Sequence, residues 1–293
     1  MTTVPGASQR QVCTLLGVPR SRLHPPKREP GSLDSSAPLV PLPSPPVPGD
    51  LAGRIKALTE QHPTFGYRRI WALLRFGAGV LVTKKTIYRL MKRRGWLVHQ
   101  RPTGTPRPRV QAKRSQVTTS NTRWAIDVTH IDCGRDGWGH LAAIIDCGDR
   151  EIVGYEFALR GRANEAERAI EMATLARFGA LRPAGPLPVI RSDNGLIFQS
   201  TRFRATCRAI RLEQEFITPY TPEQNGLIER FFRSAKEECV WQHRFASFAE
   251  AQPIIDAWIA WYNTERPHQA LGYRSPSQFR EQQQQPEQLQ RVA

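Results

Sequence analysis

Residues 123–131 read Arg-Trp-Ala-Ile-Asp-Val-Thr-His-Ile, a run of aromatic and β-branched side chains that predicts a β-strand. Asp127 stands in its middle, where an ionised group is costly to bury unless something compensates it. Downstream, His140 to Ile145 and Glu151 to Leu159 are two further Val/Ile-containing runs joined by a short Cys147-Gly148-Asp149 stretch. They predict a hairpin, so the domain begins with three sequential antiparallel strands. Asn164 with Glu167 three residues on makes a capping-box-like start to a helix that ends at Gly179. Leu187 to Ile190 then predicts a short buried strand. A helix around Phe203 to Ala209, a strand near Glu213 to Ile217, a Pro-containing turn and a long helix from near Gln224 to about Trp241 complete the pattern. Elements in this order predict an α/β domain.

Upstream, three helical patterns follow Asp50. The first, 51–61, has Asp50 as candidate N-cap and Ile55 with Leu58 as its apolar stripe; the second, about 67–76, turns Ile70, Leu73 and Leu74 inward. The third begins at the N-cap Thr83, buries Ile87, Leu90 and Met91, and stops at Gly95. Its opposite side carries Lys84, Lys85, Arg89, Lys92 and Arg93. A basic helix after a short glycine-containing connection is how a helix-turn-helix sets its reading helix in the major groove. A merely solvated cationic helix has the same pattern, and the distribution of charge separates the two. Residues 51–120 hold 16 Lys and Arg against one acid, Glu60, whereas residues 121–293 hold 21 against 22. A net charge of +15 in one quarter of the chain, out of +16 for the whole, points to a polyanion gripped by one module.

A length of 293 residues leaves room for about two domains. No apolar run approaches the roughly eighteen residues of a membrane span, and the N-terminus lacks the apolar centre of a signal peptide, so a cytoplasmic protein without a membrane partner is expected. Cys13, Cys133, Cys147, Cys207 and Cys239 are scattered, with no C-x-x-C pair. They predict small buried apolar residues rather than a disulfide framework or a structural zinc. Residues 8–28 carry a weak helix-turn-helix signal, and seven prolines fall between Pro30 and Pro48, a density that predicts a linker. The stretch from 100 to 118 is Pro- and Arg/Lys-rich and predicts a second.

Two more carboxylates stand out. Asp193 lies at the carboxyl end of the predicted strand before Asn194-Gly195, where ligands gather in α/β sheets, although Asp-Asn-Gly is also ordinary turn chemistry. On the long helix, Ile228, Phe232, Ala235 and Cys239 share one narrow face at 100° per residue, and Glu229, Arg233 and Lys236 fall together on the adjacent one. Glu229 therefore flanks the buried stripe and can point across at the sheet, or it can pair with Arg233 at i, i+4.

Taken jointly, an Asp in mid-strand, an Asp at a strand end, a Glu thirty-six residues later on a helix and a Lys seven further on resemble the Asp-Asp-Glu signature of the retroviral-integrase superfamily. The resemblance is strongest to transposases of bacterial insertion sequences, of the second-frame type. It rests on Trp124-Ala-Ile-Asp-Val-Thr-His130, Ser192-Asp-Asn-Gly195, Tyr220-Thr-Pro-Glu-Gln-Asn-Gly-Leu-Ile-Glu-Arg-Phe-Phe232 and Lys236. It continues through Tyr262-Asn-Thr-Glu-Arg-Pro-His268 and Leu271-Gly-Tyr-Arg-Ser-Pro276, and His62-Pro-Thr-Phe-Gly-Tyr-Arg-Arg-Ile70 is similar to the family's DNA-binding domain.

The resemblance implies a ribonuclease-H-like integrase core, a mixed five-stranded sheet with flanking helices, preceded by a small all-α helix-turn-helix domain. It implies Asp127, Asp193 and Glu229 as catalytic residues and as ligands of Mg²⁺ or Mn²⁺, two ions in number. Elementary electrostatics agrees: carboxylates about 4 Å apart repel by about 4 kcal/mol at an effective dielectric near 20, so converging acids need cations between them. Lys236, with Arg233 and Asn225, would contact DNA near the scissile bond, and Lys84, Lys85, Arg89, Lys92 and Arg93 would bind it from the reading helix. Double-stranded DNA, both element ends and target, is then the partner, bound by a homo-oligomer with no small-molecule cofactor. The alternatives are a catalytically silent DNA-binding relic or repressor, and a ribonuclease-H-type nuclease. Asp146, ending its strand, is the rival first acid; alternation turns Asp132 to the face opposite Asp127. Pro253, inside the helix capped by Ser247, is expected to kink or delay it. The expected division is a short helical segment (1–29), a Pro-rich linker (30–49), the helix-turn-helix domain (50–99), a basic linker (100–119), the catalytic core (120–245), a helical extension (246–280) and a disordered Gln-rich tail (281–293).

Overall fold

The computed structural model describes residues 49–98, 117–218 and 221–292. The expectations for Cys13, for residues 1–29 and for most of the two linkers lie outside them.

The basic module consists of α1 (Leu51–Gln61), α2 (Tyr67–Ala72), which continues as a π-turn over Leu73–Gly77, and α3 (Lys84–Arg93). Leu51, Ile55, Ile70, Leu74, Ile87 and Met91 form its core, all at most 1% exposed, which is the apolar stripe of each helix turned inward. Thr83 caps α3, its hydroxyl accepting from the Thr86 amide at 3.2 Å, and Gly95 at φ +72° follows its end. Asp50 makes no side-chain cap on α1.

The larger part is a five-stranded sheet, β1 (Arg123–Asp132), β2 (Trp138–Asp146), β3 (Ile152–Ala158), β4 (Val189–Ser192) and β5 (Gln214–Phe216), in the order β3-β2-β1-β4-β5. β1, β2 and β3 are antiparallel; β4 and β5 run parallel to β1. Alternation along β1 divides the domain into two cores. Trp124 and Ile126 face α4 (Ala163–Phe178) and α6 (Thr201–Ile210), packing with Ile170 and Phe203. Ala125 and Ile131 face α7 (Gly226–Glu238) and α8 (Phe248–Thr264), packing with Ile228, Phe231 and Ile255. α4 lies directly on β3 at Gly154, where a Cβ would overlap the Ala169 carbonyl and stand 2.6 Å from the Ala173 nitrogen. The short α5 (Leu196–Gln199) precedes α6, and α9 (Pro276–Val292) ends the described chain.

Three local expectations are corrected. The cap of α4 sits two residues earlier than Asn164: Glu165 reaches back to accept from the Arg162 amide at 2.7 Å, while Glu167 is taken by Arg202 at 2.8 and 2.9 Å. Pro253 does not delay α8, which starts directly after its Ser247 cap and runs unbroken to Thr264. The carbonyl that Pro253 leaves unpaired is that of Ala249, on the exposed side where water can reach it. The Gln-rich end is helical to Val292 rather than disordered, because Gln and Glu are good helix formers and Ser275 caps the start, its hydroxyl accepting from the Gln278 amide while its own amide donates to the Gln278 side chain.

Cys133, Cys147, Cys207 and Cys239 are buried and free, as expected of small apolar residues. Among the described residues no helix is long and apolar enough to cross a membrane.

Candidate active site

Strand parity puts Asp127 on the same face as Ala125, the face covered by α7. β1 and β4 are parallel, with Ala125 beside Arg191, and Asp193 follows just past the end of β4, near enough for its charge to act on Asp127. Asp193 also makes the turn that its sequence suggested, Oδ1 accepting from the Gly195 amide at 2.9 Å.

Glu229 enters from the first turn of α7 and is exposed. Arg191 holds that helix against the sheet. Its buried guanidinium pairs with Glu215 on β5 at 2.9 Å and donates to the carbonyl of Gln224 at 3.0 Å, and Gln224 in turn accepts from the Thr218 amide at 2.9 Å. The turn that launches α7 is thus tied to the ends of both parallel strands, a role for Arg191 that sequence reading did not find.

The electrostatics ties the site together. Burial pushes the Asp127 carboxyl up to about 6; the charges of Asp193 and Glu229 push the same way, and the Val128 amide, donating to Oδ1 at 2.8 Å, and the Lys236 ammonium oppose them. Glu229 is also raised, by desolvation and by the charge of Glu223. Glu223 is a fourth acid that sequence reading missed. It lies on the 3-10 turn Pro222–Asn225, six residues before Glu229, and its buried Oε2 has no hydrogen-bond partner. Ser192 Oγ and Asn225 Oδ1 are likewise buried without partners. Among the described residues, no three His, Cys, Asp or Glu side chains stand close enough to hold an ion in this arrangement.

The rival, Asp146, is excluded as a site acid. Its carboxylate is wholly buried on the face of Trp124 and accepts from the amides of Asn121 (2.6 Å), Gly148 (2.7 Å) and Asp149 (3.3 Å) and from Trp124 Nε1 (3.2 Å). That carboxylate fastens the start of β1 to the β2–β3 turn. Burial and the charge of Asp149 raise it to about 6 as well, so a raised carboxyl alone does not mark the site. Asp132 is exposed and caps a turn at Gly134.

The expected DNA contacts divide. Lys236 is half-buried and near enough to act on Asp127. Arg233 is exposed and pairs with Glu237 at 3.1 Å, not with Glu229. Asn225, 3% exposed, lies beneath the surface, since it occupies the tight junction before α7. On α3, Lys85, Arg89, Lys92 and Arg93 are exposed and have no ion-pair partner among the described residues. Lys84 is drawn away from them: its ammonium sits 4.4 Å from the Trp71 ring centre and 4.5 Å from that of Tyr273.

Family models described as an integrase core domain match residues 117–222 and 210–276, and one described as an HTH-like domain matches residues 49–103. Over 236 residues the chain is 30% identical to transposase InsD for insertion element IS2A/D/F/H/I/K of Escherichia coli, covering 78% of each chain. Transposase InsD for insertion element IS2-9 of Escherichia coli strain K12 is also 30% identical, over 78% of this chain and 76% of the relative. Among solved structures, the catalytic core domain of BIV integrase is similar at a TM-score of 0.42 and 16% identity, over 57% of this chain and 98% of that one.

Proposed function

The chain belongs to the integrase-core transposases of bacterial insertion elements, and from that premise we propose that Asp127, Asp193 and Glu229 are its catalytic acids. As a polynucleotidyl transferase it cleaves and rejoins DNA strands, and its duplex substrates in this reading are the element's ends and a target. The observation that supports the assignment is the convergence on Asp127, whose carboxyl is shifted by Asp193, Glu229 and Lys236 together.

The donor set suits a divalent cation. It consists of hard carboxylate oxygens, as Mg²⁺ and Mn²⁺ require, with the unpartnered oxygens of Glu223 and Asn225 close by in sequence. Bringing the acids to ligating distance needs rotation of side chains, which exposed Glu229 is free to make. Mg²⁺ or Mn²⁺, two ions in this reading, would supply Lewis acidity, easing deprotonation of the attacking water or 3′-hydroxyl and neutralising the departing oxygen. Asp127, titrating near 6, is ionised and able to bind a cation at neutral pH. Lys236, seven residues and about two turns beyond Glu229 on the same face of α7, offers its ammonium to the phosphate. Lys85, Arg89, Lys92 and Arg93 grip the backbone of the duplex, with more than one copy of the chain assembled on the ends.

The test is strand transfer in Mg²⁺ or Mn²⁺ on a duplex carrying the end sequence of the element. Asp127→Asn, Asp193→Asn and Glu229→Gln are each expected to lower the rate by at least about a thousandfold, the loss of roughly 4 kcal/mol of transition-state stabilisation. Activity at the wild-type level in any one of them removes that residue from the site.

A further inference from the structure

Two motifs of the sequence remain without a role in the chemistry: His62-Pro-Thr-Phe-Gly-Tyr-Arg-Arg69 in the basic module, and Tyr262-Asn-Thr-Glu-Arg-Pro-His268 with Gly272-Tyr273 near the C-terminus. They meet. Glu238, the last residue of α7, has a side chain only 6% exposed and is shared by two guanidinium groups. Arg266 grips it with both forks, Nε to Oε2 at 2.7 Å and Nη2 to Oε1 at 2.6 Å, and Arg69 of α2 donates to Oε1 at 2.8 Å. Around this charge cluster the module stacks on the C-terminal segment. The His62 ring lies 5.2 Å from that of Trp261, and Trp71 meets Tyr273 edge-on at 5.3 Å. Lys84 closes the contact by placing its ammonium over both Trp71 and Tyr273. Tyr273 holds φ +68°, a conformation a non-glycine residue takes only where its surroundings enforce it. The C-terminal segment is itself anchored to the sheet, because the Asn263 amide exchanges two hydrogen bonds of 2.9 Å with the backbone of Ile152 at the start of β3.

We propose that these residues form a clamp that seats the DNA-reading module on the catalytic helix and so fixes the distance from the sequence read to the bond cut. Apolar stacking alone would hold the module without fixing its angle; the bidentate Arg266 fixes the buried Glu238 carboxylate, and Arg69 of the module donates to that fixed oxygen. Glu238 and Glu229 lie on the same helix nine residues apart, about 14 Å at 1.5 Å per residue. Arg69, Glu238, Arg266 and Tyr273 are positioning residues in this scheme and touch no reacting atom. Lys84, expected on DNA from its place on the basic helix, is one of them. The proposal rests on Glu229 as a site acid.

The experiment uses the full chain and an end-labelled duplex carrying the same end sequence, with cleavage mapped at nucleotide resolution and end binding measured separately by gel shift. Glu238→Gln and Arg266→Lys are the main variants. Lys84→Met and Tyr273→Leu are milder ones that keep the apolar contact should the first pair fail to fold, which thermal melting reports. Folded variants are expected to bind the end within about threefold of wild type, to cut at several neighbouring phosphates instead of one, and to cut at least tenfold more slowly. Cleavage confined to the wild-type bond, at whatever rate, overturns the clamp; so does loss of end binding, which would put these residues on DNA. Glu229→Gln assayed alongside separates the two ideas, since its activity bears on the acids and the cleavage positions bear on the clamp.

Discussion

Asp127 keeps its proton up to about pH 6 because burial and the charges of Asp193 and Glu229 outweigh the Val128 amide and Lys236. The native state therefore binds a proton between about pH 4 and 6 that the unfolded chain has released, and stability falls as pH rises through that window. Two pK units correspond to at most about 3 kcal/mol, and to less where water screens the half-buried carboxyl. Asp127→Asn removes this cost and keeps an oxygen for the Val128 amide. In metal-free buffer at pH 7 the variant is expected to melt above wild type, with the difference vanishing below pH 4; a variant that melts lower at pH 7 contradicts the electrostatic picture. At this scale the sequence was legible where alternation governs: it put Asp127 and Asp132 on opposite faces. Asp146 was not legible, because what sequesters it is a set of backbone amides and an indole whose directions no pattern of side chains encodes.

Among the elements, helix α3 shows how periodicity can be right about a face and still misassign one of its residues. Lys84, Lys85, Arg89, Lys92 and Arg93 are all exposed to some degree, yet only the last four are without a protein partner among those described. Measured against salt concentration, end binding by Lys85→Gln or Arg89→Gln is expected to lose about one from the log–log slope, the signature of one phosphate contact removed. Lys84→Gln is expected to leave the slope unchanged, and a drop of one there would return Lys84 to the DNA. Strands and helices of the core followed from hydrophobic period, and their order from chain sequence. What escaped was whatever depends on partners distant in the chain: Arg202 claims Glu167 and so shifts the cap of α4, Tyr273 captures Lys84, and Arg191 sets the start of α7. At Pro253 the one lost donor did not outweigh the Ser247 cap in setting the helix start, and at the Gln-rich end composition was weighed where the Ser275 cap already fixed it.

Taken whole, the molecule divides its charge from its chemistry. The excess of cations lies in residues 51–120 and the proposed catalytic acids in a region of nearly balanced charge, so in the proposed reading DNA is gathered by one part and cut by another. In the proposed site the acids come from a central strand, the loop after its parallel neighbour and the helix α7 packed on the sheet, which is how residues so far apart in sequence would be brought to one place. The measurement that bears most directly on this is anomalous diffraction from crystals soaked in Mn²⁺ at pH 7, where Asp127 is ionised. Density for the ion is expected among the carboxylates of Asp127, Asp193 and Glu229, and to be lost in Asp127→Asn. Manganese bound elsewhere, with these three carboxylates apart in a preparation that carries out strand transfer, would contradict it.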